Sequence, residues 1–161
     1  MKKNTHTFLF EKTYFFNFLL FLFLFLNNNP AFSQCPPGHV VIQSHQDLVD
    51  FLNNYPTCTT ISGDLTIGPS NDIVDLDELA GITNISGGLL IKYNTLLTDL
   101  TGLNGLSIID NGLDINNNAL LTSLPAFPNL TNINGGTINI SYHPFLTSID
   151  LSAVSSPNLY S

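Results

Sequence analysis

The chain of 161 residues has no tryptophan and no arginine, a single methionine, two cysteines and four lysines. Three of the lysines, Lys2, Lys3 and Lys12, lie near the N-terminus, so beyond residue 33 only Lys92 stands against 11 of the 12 acids, a balance of 1 − 11 = −10. A surface so poor in cations repels phosphate backbones, which excludes nucleic acid as a partner. The same poverty excludes lyase chemistry on acidic polysaccharides, where cationic groups must stabilise the developing charge. Aromatics are scarce as well once the N-terminus is set aside, since nine of the 12 phenylalanines lie at or before Phe32 and only Phe51, Phe127 and Phe145 follow.

There is one long hydrophobic run. Lys2 and Lys3 precede Phe15–Leu26, Asn27-Asn28-Asn29-Pro30 breaks the run, and Ala31-Phe32-Ser33 has the small-x-small pattern of a cleavage site before Gln34. Residues 1–33 therefore read as a secretory signal peptide, which places the protein outside the cell or at its surface. A retained anchor is the alternative, but the run is shorter than the roughly 20 residues that span a bilayer. After cleavage no membrane span is expected. Cys35 and Cys58 fit this export route and are expected to form a disulfide, with metal binding by the pair the weaker reading. Closing a loop of that length stabilises by roughly 3 kcal/mol in the chain-entropy model.

A repeated unit dominates the remainder. Ile61, Ile85 and Ile109 are 24 apart (85 − 61 = 109 − 85), opening Ile61-Ser-Gly-Asp-Leu-Thr-Ile67, Ile85-Ser-Gly-Gly-Leu-Leu-Ile91 and Ile109-Asp-Asn-Gly-Leu-Asp-Ile115. A fourth copy, from Ile133 to Ile140, carries one inserted residue. Leu65/Ile67 and their equivalents alternate with polar positions, the period of a strand with one buried face. Further apolar columns run through Ile73, Leu97, Leu121 and Leu146, through Leu76, Leu100, Leu124 and Ile149, and through Leu79, Leu103 and Phe127. So short a unit cannot bury its own apolar face and must stack on its neighbours. The fold class expected is an all-β solenoid, a right-handed parallel β-helix or leucine-rich-repeat-like stack of about four coils of 24–25 residues over 61–161. The polar column Ser70, Asn94, Asn118 and His143 after each strand reads as turn capping.

Residues 34–60 precede the repeats. Ser44 can cap a helix near 45–54, with Asp47 at its third position and Leu48, Phe51 and Leu52 on one face, giving a disulfide-stapled cap over the first coil. At the other end the fourth coil loses its pattern after Ile149, and Pro157-Asn158-Leu159 echoes Pro128-Asn129-Leu130 just where a fifth coil would begin. The expectation is a truncated reading frame; self-association through an uncapped last coil is the alternative.

The phrase Cys58-x-x-Ile61-x-Gly63-x-Leu65-x-Ile67, the cysteine ahead of a helix and the recurring Ile-x-Gly-Gly-x-Leu-x-Ile resemble the receptor L domain, across everything after Cys35. In animal receptors that resemblance implies extracellular recognition of a polypeptide by a broad sheet face. The Phe-rich signal and regular repeats look closer to secreted bacterial members, and receptor signalling is not implied.

Candidate binding residues are the outward strand positions Leu90, Lys92, Asp114 and Asn116, with Tyr93 and Tyr142 beside them, because aromatics and isolated apolar groups anchor interfaces. The expected partner is a protein or a glycan, with no cofactor and no catalysis. Asp75 and Asp99 sit one coil apart, near a glycosidase carboxylate spacing, but no aromatic marks a sugar cleft beside them. Asp72, Asp75, Asp77 and Asp99 are weak Ca²⁺ candidates that match no loop motif. The column Thr98, Thr122 and Thr147 offers an ice-binding or structural alternative.

Overall fold

The computed structural model describes residues 35–124, 127–152 and 154. The segment 1–33 read as a signal peptide and the Pro157-Asn158-Leu159 echo lie outside them. The elements in chain order are β1 (Val40–Ile42), α1 (His45–Asn54), β2 (Thr60–Ile61), β3 (Leu65–Ile67), β4 (Asn84–Ile85), β5 (Leu89–Lys92), β6 (Ile108–Ile109), β7 (Leu113–Asn116), β8 (Asn132–Ile133) and β9 (Ile138–Ser141). Two 3-10 helices, Asp77–Leu79 and Thr101–Leu103, lie between strands.

Successive strands alternate between two parallel sheets, a larger one of five strands in the order β1-β3-β5-β7-β9 and a smaller one of four in the order β2-β4-β6-β8. The sequence period is the pairing register: Leu65 faces Leu89, Leu89 faces Leu113, and Leu113 faces Ile138. In the smaller sheet Ile61, Ile85, Ile109 and Ile133 pair in the same way. Parallel pairing follows because each strand is reached only after the chain has passed around the rest of its unit.

The expectation of an all-β solenoid is corrected by this arrangement. The strands do not close into a single β-solenoid but form two separate parallel sheets, which with α1 make an α/β-type fold. The physical reason lies in the spacing along each unit. Only Leu65/Ile67 and their equivalents follow the period of 2, whereas Ile73, Leu76, Leu79 and Ile82 recur every third residue, as do Leu97, Leu100, Leu103 and Leu106. A period of 3 suits 3-10 backbone, in which positions i and i+3 eclipse. All eight of these side chains are at most 1% exposed.

At the start of the stack, β1 adds an edge strand to β3, with Val40 opposite Leu65, a strand the sequence reading did not anticipate. Helix α1 opens with a reciprocal capping box, in which Ser44 Oγ accepts from Asp47 N at 3.2 Å and Asp47 Oδ2 accepts from Ser44 N at 3.0 Å. Leu48 and Phe51 are buried on the first unit. Leu52, expected on the same face, is exposed. The Phe51 ring packs instead on Tyr55, with centroids 5.6 Å apart, so the buried stripe runs through 48, 51 and 55 and turns Leu52 outward. A disulfide joins Cys35 to Cys58 across a Cα separation of 4.7 Å.

The last described unit is less covered. Ile138, Ile140 and Leu146 are half-buried where their equivalents one unit earlier are fully buried, and Ile149 is exposed.

Candidate functional site

After β3, β5 and β7 the chain turns inward, so that Ser70, Asn94 and Asn118 enter the core. Asn94 and Asn118 are fully buried there, and their side-chain N–H groups satisfy strand-end carbonyls of the preceding unit, at Ile67 and Ile91. Making that corner in so few residues needs a left-handed backbone. Gly68 supplies it in the first unit with φ of 102°, Tyr93 in the second with 58°, Asn117 in the third with 53° and Tyr142 in the fourth with 57°. Glycine and asparagine adopt this conformation readily, whereas tyrosine does so at a cost of about 1 kcal/mol or more. Both tyrosines are also among the most exposed large side chains, Tyr93 at 57% and Tyr142 at 77%.

A second exposed column runs three residues further on. Leu96, Leu120 and Phe145 occupy equivalent places in consecutive units, and all three face solvent. Neighbouring parallel strands lie about 4.8 Å apart, so Tyr93 and Tyr142, two units apart, stand on the order of 10 Å from each other along the stack. The two columns together make an uncharged apolar ridge on an otherwise acidic molecule. Leu96, Leu120 and Phe145 were not among the sequence candidates. A signal was present in the doublets Leu96-Leu97, Leu120-Leu121 and Phe145-Leu146, because only the second member of each lies in a core column.

The remaining candidates lie on the sheet itself and form a polar network rather than an open surface. Lys92 Nζ is 2.5 Å from Asp114 Oδ2, and Asp114 Oδ1 accepts from Asn116 Nδ2 at 2.7 Å and Asn139 Nδ2 at 3.0 Å. Burial pushes the Asp114 carboxyl up, but the hydrogen bonds from Lys92, Asn116 and Asn139 and the Lys92 charge together hold it below the usual carboxylate range. Asn116 is buried and Leu90 half-buried. Beside this network a shallow depression of about 270 Å³ is lined by Leu90, Asp114, Asp64, Gly88, Gly112 and Thr137.

The acidic candidates are not gathered. Asp72 Oδ1 accepts from Ser70 Oγ at 2.7 Å and from His45 N, the first residue of α1, at 3.1 Å. The Ser70 bond is the main reason its carboxyl lies below the ordinary value; burial opposes it, and the His45 amide adds a lesser lowering. Asp75 and Asp99 accept from Asp77 N and Thr101 N, opening the two 3-10 helices. Asp77 lies within the first of these helices. Among the described residues no group of three or more His, Cys, Asp or Glu could hold a metal ion. The Thr column is engaged internally, since Thr98 Oγ1 donates to Val74 O and Thr147 Oγ1 to Thr122 O.

A family model described as "Receptor L domain" matches residues 57–148, more than half of the chain. The chain belongs to the receptor L domain family. This receptor L domain has no match among the curated proteins searched and none among the solved structures. The family match covers both sheets from β2 to β9 and every residue of the ridge, while the helix and the disulfide's first cysteine precede it. It does not by itself separate secreted bacterial members from animal ectodomains. Among the described residues of this receptor L domain no helix is long and apolar enough to cross a membrane.

Proposed function

We propose that the protein is an exported, non-catalytic binding module that holds a protein ligand on the corner ridge of its larger sheet. Receptor L domains are extracellular ligand-binding domains, and the match at residues 57–148 supports that reading. The observation that carries the choice of surface is the pair Tyr93 and Tyr142, two exposed aromatics on left-handed backbone where asparagine serves in the intervening unit. Strained backbone under exposed side chains is the mark of a position kept for contact rather than for stability. Leu96, Leu120 and Phe145 add exposed apolar groups three residues further along each unit, and exposed apolar side chains repeated on one side of an acidic molecule suit an interaction site. Acid–base catalysis is not supported, because Asp75 and Asp99 are bonded to their own turns.

The decisive experiment is quantitative capture of extracellular proteins by the purified chain, with a glycan array run in parallel. A protein held by the wild type and lost by both Tyr142→Ser and Phe145→Ser, but retained by Asn84→Gln on the smaller sheet, supports the reading. Binding indifferent to the ridge substitutions moves the site elsewhere, and binding only on the glycan array replaces the ligand class.

A further inference from the structure

Half-buried His143 continues the polar column that passes through the buried Asn94 and Asn118. Where those asparagines each donate a side-chain N–H to a strand-end carbonyl of the preceding unit, His143 places Nε2 3.0 Å from Ile115 O. Its other ring nitrogen, Nδ1, lies 3.2 Å from Asn118 O. Both neighbours are carbonyl oxygens and can only accept. A neutral imidazole has one N–H and one lone pair, so it satisfies one carbonyl and turns its lone pair toward the other, whereas the imidazolium donates to both.

We propose that His143 is a proton-dependent clamp that fixes the corner bearing Tyr142 and Phe145, and thereby regulates the ridge. The functional consequence rests on the docking reading above; the clamp itself does not. Among the column's members in the described repeats, this one alone is titratable, since the amides of Asn94 and Asn118 donate at every pH. It is also the one with least support. Tyr142 immediately precedes it on left-handed backbone, Leu146 N donates to His143 O at 3.3 Å, and Leu146 is only half-buried. With the ring neutral, one of the two ties from the 142–146 corner to the preceding unit is lost.

No neighbouring charge offers a competing account. On β7 the charged group is Asp114, already paired with Lys92 of β5, and β9 carries none. The segments 117–122 and 144–149 carry no charged side chain, the Tyr142 phenol is exposed, and Asp150 accepts from Ser152 N. Because the second donor is the added proton, the imidazolium makes both ties and the neutral ring makes one.

The test uses the full chain without ligand: amide hydrogen exchange at residues 141–146 between about pH 5 and 8, corrected for intrinsic rates, with ¹⁵N spectra of the imidazole ring. The expected result is two ring N–H groups at the acid end, with protection falling on the order of tenfold as the second is lost. His143→Asn, which installs the amide used by Asn118, should give protection that no longer varies with pH. A ring that stays neutral throughout, or wild-type protection as flat as that of the variant, overturns the proposal. Should His143→Asn fail to fold, the ring spectra of the wild type decide alone. Since no ligand enters, an intact clamp with ridge variants that bind normally would sink the docking reading and leave the clamp standing.

Discussion

Asn94 and Asn118, one unit apart and both fully buried, are joined side chain to side chain: Asn94 Nδ2 donates to Asn118 Oδ1 at 2.9 Å, and the same oxygen accepts the Asn94 backbone N–H at 3.1 Å. Asn118 in turn donates to Ile91 O at 2.9 Å. This column ties each turn of the chain to the next beneath the corners that present the tyrosines. Asn118→Ala would strip the Asn94 N–H and the Ile91 carbonyl of partners in a dry interior, at an expected cost of about 2–4 kcal/mol. Urea denaturation should show the midpoint falling with an unchanged slope.

Close stacking makes Gly102 irreplaceable. A Cβ there would lie 2.1 Å from Leu76 O and 2.3 Å from Leu76 C, both backbone atoms of the preceding unit that cannot rotate away. Gly102→Ala should cost about 3 kcal/mol or more, in the class of overpacked cores. Gly81→Ala is the control, since its nearest neighbour would be Cys58 O at 3.4 Å, and thermal melts of the two variants should differ widely.

The tyrosine corners predict a trade of stability against binding. Tyr93→Asn installs the residue that Asn117 already carries in the same left-handed place one unit on. It should raise stability by a few tenths to about 1 kcal/mol. Affinity for the ligand should fall at least about tenfold, as for loss of an aromatic anchor. Calorimetric melting and ligand titration on the same sample check both halves.

Acid should weaken the fold through Asp72 and Asp114, whose carboxyls the folded state holds below the ordinary aspartate value of 3.8. A depressed folded value means the unfolded chain binds protons more readily. The contribution is therefore present above the unfolded value and lost as pH falls through the folded one. Stability of the wild type should drop as pH is lowered past 3.8, and Asp114→Asn should flatten that drop. Denaturant midpoints between about pH 2 and 6 provide the measurement.

Much of this fold was legible because stacked identical places demand identical side chains: Ile61, Ile85 and Ile109 announce both the period and the pairing register. The class is less legible, because Ile73, Leu76 and Leu79 stand out as core columns without showing which backbone carries them. Their spacing of three fits the short 3-10 turns at Asp77–Leu79 and Thr101–Leu103 rather than a third strand. Strand β1 was hidden for the opposite reason, since Val40–Ile42 lies outside the repeat and has no copy to compare. At the surface, Tyr93 and Tyr142 stand out as aromatics, but the left-handed backbone beneath them cannot be seen in the letters. Asn116 looked like an outward strand residue, yet it is drawn down onto Asp114 and buried.

The strand pairing has a mechanical meaning. Each described unit pairs its strands with those of the units before and after it, so a pull on the chain meets one set of rungs at a time rather than the whole sheet in shear. The Cys35–Cys58 tie and α1 secure the first rung, so that among the described strands taken by themselves β9 yields before the others. Under tension the protein should lengthen in a short staircase, each step paying out roughly 80 Å of chain, the contour length of one repeat. A tethered ligand would then feel a graded extension, with the unit bearing Tyr142 surrendered before the unit bearing Tyr93.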